Sequence, residues 1–140
     1  MVTTSRLVLL DTVGRDGNDL IHLTGPVQVV ARAAMGTPDG TPFEVELRFD
    51  AARVRGVGLK TGASYWAEGL HQSRLQPKER STAFDVWGHF ELLGAAPNDT
   101  QRTRRTLSVR FRVTVPADGR VTIAAEEVTL RPGSHGSVAA

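Results

Sequence analysis

"LSVRFRVTVPADGRVTIAAEEVTL", Leu107 to Leu130, decides the fold. Leu107, Val109, Phe111, Val113 and Val115 alternate with Ser108, Arg110, Arg112 and Thr114, a period of two that marks a strand buried on one face. A three-residue loop, Ala117 to Gly119, pairs Val115 with Val121, Val113 with Ile123 and Phe111 with Ala125, so all six side chains share one face. A two-residue Asp-Gly loop would put the two apolar sets on opposite faces and is rejected. Beyond Ala125 the parity flips, because Val128 and Leu130 lie at even positions. One extra residue near Glu126 and Glu127, a β-bulge, restores the match with Val109 and Leu107 and brings the glutamates near Arg110 and Arg112.

The same period runs outward from this hairpin. In "PFEVELRFD" Phe43, Val45, Leu47 and Phe49 share a face, and in "AFDVWGHFELLG" Phe84, Val86, Phe90 and Leu92 alternate around Gly88. Further strands are expected at Leu7–Leu10, Asp19–Thr24, Val27–Ala33, Val54–Leu59, Ser64–Leu70 and Val121–Leu130. No window sustains a helical stripe, and turn signals recur at short intervals. The expected fold is all-β: a single-domain antiparallel β-barrel of about eight or nine strands, with a sandwich as the alternative. It spans 1–133, followed by a surface tail, 134–140. His71–Thr82 and Ala95–Arg105 are polar and read as long loops on the scaffold.

The chain has 140 residues, enough for one domain with a real core. Seventeen Lys and Arg against 15 Asp and Glu leave a net charge of +2, too weak a field to argue for nucleic acid or an anionic membrane. The absence of cysteine excludes disulfides, thiolate zinc sites and cysteine nucleophiles. The apolar run Leu7–Leu10 is too short for a membrane span or a signal core. As written the chain is expected to be soluble and cytoplasmic, or secreted if a leader precedes it. No cofactor and no metal are expected.

"RGVGLKTGASYWAEG", Arg55 to Gly69, invites comparison with a phosphate-binding loop. The pattern fails. Leu59, not glycine, precedes Lys60, and the alternating "ASYWAEG" follows where a helix would have to start. The dinucleotide fingerprint fails at Thr61 for the same reasons. The stretch reads instead as a hairpin turning at Thr61-Gly62, with Gly58 opposite Tyr65 and Gly56 opposite Ala67. Thr61, Gly62, Tyr65 and Gly69, followed by Val113, Thr114, Val115, Ala117, Gly119, Val121 and Thr122, resemble a family of small uncharacterised bacterial all-β proteins. That resemblance covers about the last two-thirds of the chain and implies no activity. Members of the family often carry an export signal, which is not seen here, so their location is not carried over.

Seven residues carry the candidate site. Asp85, Trp87, His89 and Glu91 form one polar, aromatic row on a strand, able to hold a ligand or shuttle a proton if that face lines an interior. Trp66 and Glu68 share a face of their strand with Leu70, while Tyr65 shares the other with Ala67 and Gly69; an aromatic beside a carboxylate suits a small-molecule pocket. Each group also has a plain structural reading, as the solvent face of a strand or as core packing. The leading expectation is a barrel that binds a small apolar ligand, with cyclisation or isomerisation as the chemistry it would carry. The alternative is a structural or self-assembling β module, and so a homo-oligomer. Nucleic-acid binding through the basic run Arg102, Arg104 and Arg105 ranks last, since no aromatics interleave with it.

Overall fold

The computed structural model describes residues 2–16, 19–34, 44–76, 83–95, 102–115 and 121–132. They form one antiparallel sheet of nine strands: β1 (Val2–Asp16), β2 (Asp19–Ala34), β3 (Glu44–Asp50), β4 (Arg55–Gly58), β5 (Ser64–Glu68), β6 (Leu70–Leu75), β7 (Ala83–Ala95), β8 (Arg102–Thr114) and β9 (Thr122–Pro132). The expected strands at Leu7–Leu10, Asp19–Thr24 and Val27–Ala33 prove to be parts of two much longer ones. β1 and β2 pair residue by residue from Val2↔Ala33 to Asp16↔Asp19.

Two ribbons of the sheet are broken strands. β3 and β4 both pair with β2, separated by a short turn in which Val54 donates its amide to the Ala51 carbonyl. β5 and β6 flank Gly69, whose φ of 104° is a conformation that side-chain-bearing residues rarely adopt. The bend there sends β6 to β3, while β5 stays between β4 and β7. All of β6 but Leu70 lies inside the segment expected as a loop at His71–Thr82. Its inward positions are His71, Ser73 and Leu75, so the alternation has little apolar contrast. Likewise β8 begins at Arg102, so the basic run is strand rather than loop.

The β8–β9 ladder has the expected register. Val113 faces Ile123 and Phe111 faces Ala125; a bulge opposite Arg110/Phe111 follows, and Val109 then faces Val128 and Leu107 faces Leu130. The expected loop Ala117–Gly119 and the expected tail 134–140 lie outside the described residues. The glycine hairpin differs by two residues from expectation: Gly56, not Gly58, faces Tyr65. The turn is longer because the Gly58 amide reaches the Ala63 carbonyl at 2.8 Å, which leaves Leu59–Gly62 outside the ladder.

The inner face of the sheet folds over a single apolar core drawn from every long ribbon. Phe49 of β3 and Phe111 of β8, far apart in the sheet, stack at 4.5 Å between ring centroids. The sheet does not close into a barrel. Seven ribbons alternate in direction, so the first and last run parallel; β1 lies beside β9, yet no ladder joins them among the described residues. Closure would need a parallel seam, the weaker pairing, at a strand already interrupted by a bulge. Side chains cover the seam instead: a Cβ at Gly14 would fall 2.7 Å from Leu130 Cδ1. A cleft of about 220 Å³ remains between Leu9–Thr12 and Ala125–Val128.

Candidate functional site

The side chains expected to form a site divide between the two faces of the sheet. Tyr65 points into the core and is 7% exposed. Its ring lies over Gly94, where a Cβ would overlap ring carbons, so Tyr65 is core packing. Trp66 and Glu68 take the outer face of β5, half-buried and exposed respectively. Asp85, Trp87 and His89 are exposed and Glu91 half-buried on the outer face of β7. The seven do not converge on one enclosed space.

Ion pairs occupy much of the outer face of β7 and β8. Asp85 accepts from Arg110 and Arg112, both at 3.4 Å, and Arg110 also reaches Glu127 of β9 at 3.3 Å. Arg104 of the basic run binds Glu91 at 3.1 Å. Partly exposed pairs of this kind contribute little stability singly, but they give a polar surface whose charges answer one another.

Where β6 leaves β7, two histidines meet. The His89 amide donates to His71 Nδ1 at 3.3 Å, and His71 Nε2 lies 3.1 Å from Ser73 Oγ. With Nδ1 accepting, the proton of neutral His71 belongs on Nε2. The ring sits edge-on to Phe90 and His89 and is tilted against Phe49. Burial, then the neighbouring His89, pushes the His71 pKa below its ordinary 6.5. His89 Nδ1 in turn lies 2.7 Å from the buried Ser108 Oγ. Sequence reading missed His71 and Ser108 because their partners are distant in the chain. Among the described residues no group of three or more His, Asp or Glu could hold a metal ion.

The glycine stretch holds an anion after all, and it belongs to the protein. Asp19 Oδ1 accepts the Lys60 and Leu20 amides, each at 3.0 Å, and Oδ2 accepts the Thr61 hydroxyl at 2.7 Å. The Lys60 amide and then the Thr61 hydroxyl hold this carboxyl below its ordinary 3.8. Gly58 is needed beneath it, because a Cβ there would overlap Asp19 Oδ2.

A second outer face is unlike the first. On β1, Leu7, Leu9 and Val13 are 59%, 76% and 50% exposed, and on and after β4, Val57 and Leu59 are 53% and 57% exposed. Register places Val13, His22 and Val57 in one row across β1, β2 and β4, and Asp11, Thr24 and Arg55 in the next. Leu59 donates its amide to Leu20, which is half-buried on the same face. His22 Nε2 lies 2.7 Å from Asp11 Oδ1. One row along from Leu9, Leu7 aligns with Gln28, Asp50 and Leu70. A shallow cleft of about 200 Å³ opens among Gln28, Val30, Arg48, Phe49, Asp50 and Leu70. The run Leu7–Leu10 has the pattern of a strand covered on both faces. Here only Val8 and Leu10 are covered.

Among the described residues no helix is long and apolar enough to cross a membrane. No family model, no curated protein and no solved structure matches the chain.

Proposed function

We propose that the protein is a self-assembling β module that associates with a second copy through the outer face of β1, β2 and β4. One observation carries this reading: Leu7, Leu9, Val13, Val57 and Leu59, all at least half exposed, lie on that face. Several large aliphatic side chains exposed on one face are what an interaction site presents. The composition of β1 agrees with it, since residues 7–10 have the pattern of a strand covered on both sides and, among the described residues, only Val8 and Leu10 are covered.

Binding of a small apolar ligand is the second reading, favoured by the cleft beside Leu70. That cleft, at about 200 Å³, is smaller than the ~300 Å³ at which ligand pockets usually begin. Sedimentation velocity over a concentration series tests the first reading. The wild-type chain should sediment as a dimer at high concentration, and Val57→Lys and Leu9→Lys as monomers with unchanged far-ultraviolet circular dichroism. A wild-type chain that stays monomeric throughout, but whose tryptophan emission shifts with an apolar dye, would transfer the proposal to the ligand.

A further inference from the structure

Taking that assembly reading as its basis, we infer that the dimer is isologous, with its two-fold axis running along β2. The axis would place Asp11 of each copy against Arg55 of the other. A two-fold interface must be self-complementary: whatever lies on one side of the axis meets what lies on the other. Over the Leu20, His22 and Thr24 rows the register makes β2 such a line. Across it Val13 stands opposite Val57 in the His22 row, and both are about half exposed. In the adjoining Thr24 row Asp11 stands opposite Arg55, an anion opposite a cation. Rotation about β2 therefore sets Val13 on Val57 of the second copy and Asp11 on its Arg55. In the Leu20 row Arg15 meets Leu59 of the second copy, and its aliphatic stem can cover the leucine.

An axis running across the strands through the Thr24 row does worse. It brings Asp11 onto Asp11 and Arg55 onto Arg55, and like charges set directly against each other disfavour a pairing. The charged groups are available for the proposed contact. The Asp11 side chain is 80% exposed and uses Oδ1 for His22, which leaves Oδ2. Arg55 is exposed and donates through one terminal nitrogen to the Ala52 and Val54 carbonyls, which leaves the rest of the guanidinium. Two sheets meeting in this way pack aligned, as the layers of a sandwich do.

The patch is small. Nine residues of β1 across three ribbons cover about 30 Å by about 15 Å at ordinary strand spacings. At about 900 Å² over both copies this lies below the ~1,200 Å² of standard interfaces, so a weak association, micromolar or weaker, is expected.

The test is a charge exchange. Asp11→Lys and Arg55→Glu are made separately and examined alone and as an equimolar mixture by sedimentation velocity. Each variant alone places like charges at both contacts and should dissociate at least about tenfold more readily than wild type. In the mixture each heterodimer sets the introduced lysine of one copy against the introduced glutamate of the other, and keeps the native Arg55–Asp11 pair at the second contact. Dimers should therefore return only on mixing. A misfolded variant could not give that rescue. If Arg55→Glu does fail to fold, Val13→Glu mixed with Val57→Lys poses the same question at the neighbouring contact. Variants that dimerise alone as well as wild type would overturn the two-fold placement and leave the assembly reading standing. A monomeric wild type would overturn both.

Discussion

The outer faces of β1–β2–β4 and of β7–β8–β9 belong to one sheet over one core, and they solve the problem of exposure in opposite ways. On β7–β9 many outward positions are charged, and those charges are matched across strands, Asp85 with Arg110 and Arg112, Arg110 with Glu127 and Glu91 with Arg104. On β1–β4 Leu9 and Val13 flank Asp11, and Val57 follows Arg55. Cross-strand ion pairs complete a surface that faces water. Exposed aliphatic side chains leave a surface with free energy still to be gained by covering it, about 25 cal/mol per Å² of apolar area. Similar strands thus end in surfaces with different destinations, and the outward residues make the difference.

The contrast can be broken from beneath. Gly94 lies in β7 under the charged face, against the Tyr65 ring. Gly94→Val should destabilise the fold by about 3 kcal/mol, because neither Tyr65 nor the ladder can retreat from the added carbons; chemical denaturation measures it. A value near zero would mean that the two faces do not rest on one close-packed interior. Next in size is Val57→Lys on the apolar face. It should abolish association and leave stability within about 0.5 kcal/mol of wild type, since an exposed side chain supports little within the monomer. The mirror experiment is Asp85→Ala on the charged face, which should cost no more than about 1 kcal/mol and leave association untouched. If Asp85→Ala dissociated the protein and Val57→Lys did not, the roles of the faces would be reversed.

Acid sharpens the boundary between them. His71 sits where β6 parts from β7, and its folded pKa is below the ordinary 6.5. Between the two values the unfolded chain binds the proton and the folded chain resists it. Stability is therefore fully present above about pH 7, falls as pH drops through 6.5, and levels off once the folded-state value is passed. Asp19 titrates lower with the same sign: its contribution is present above the ordinary 3.8 and is lost as pH falls through the depressed folded value. Melting temperatures from about pH 8 to about pH 3 should thus decline in two steps. His71→Phe, which keeps a ring against Phe49 and Phe90, should remove the upper step alone, and Asp19→Asn should remove the lower. A single step, or an upper step that survives in His71→Phe, would show that the histidine contact does not hold the fork.

What could be read from the chain was what parity controls. The β8–β9 register and its bulge follow from which side of each strand carries apolar residues, and a slip of one residue would bury Arg110 and Arg112. The misplaced turn after Gly58 depended on Asp19, which lies 41 and 42 positions before its partners Lys60 and Thr61, and no local pattern carries such a clamp. β6 was hidden because its inward row begins with His71 and Ser73, polar residues satisfied by a distant strand and by each other. The barrel expectation rested on short alternating strands and recurring turn signals, whereas an odd number of ribbons leaves the first and last strands parallel, the weaker pairing for a seam. Among the site residues, period two put Asp85, Trp87, His89 and Glu91 on one face correctly. It could not say whether that face looked inward.

The parallel seam has a consequence for engineering. Because β1 and β9 run the same way, Val2 lies about twelve residues of strand, roughly 40 Å, from the level of Leu130 at ordinary rise per residue. A circular permutant joining the end of β9 to the start of β1 cannot use the short loop that suffices when first and last strands are antiparallel. Its linker must travel the length of the sheet, at least about twelve extended residues. Tandem copies fused end to end would, for the same reason, be set in line along the strand direction rather than folded back beside one another.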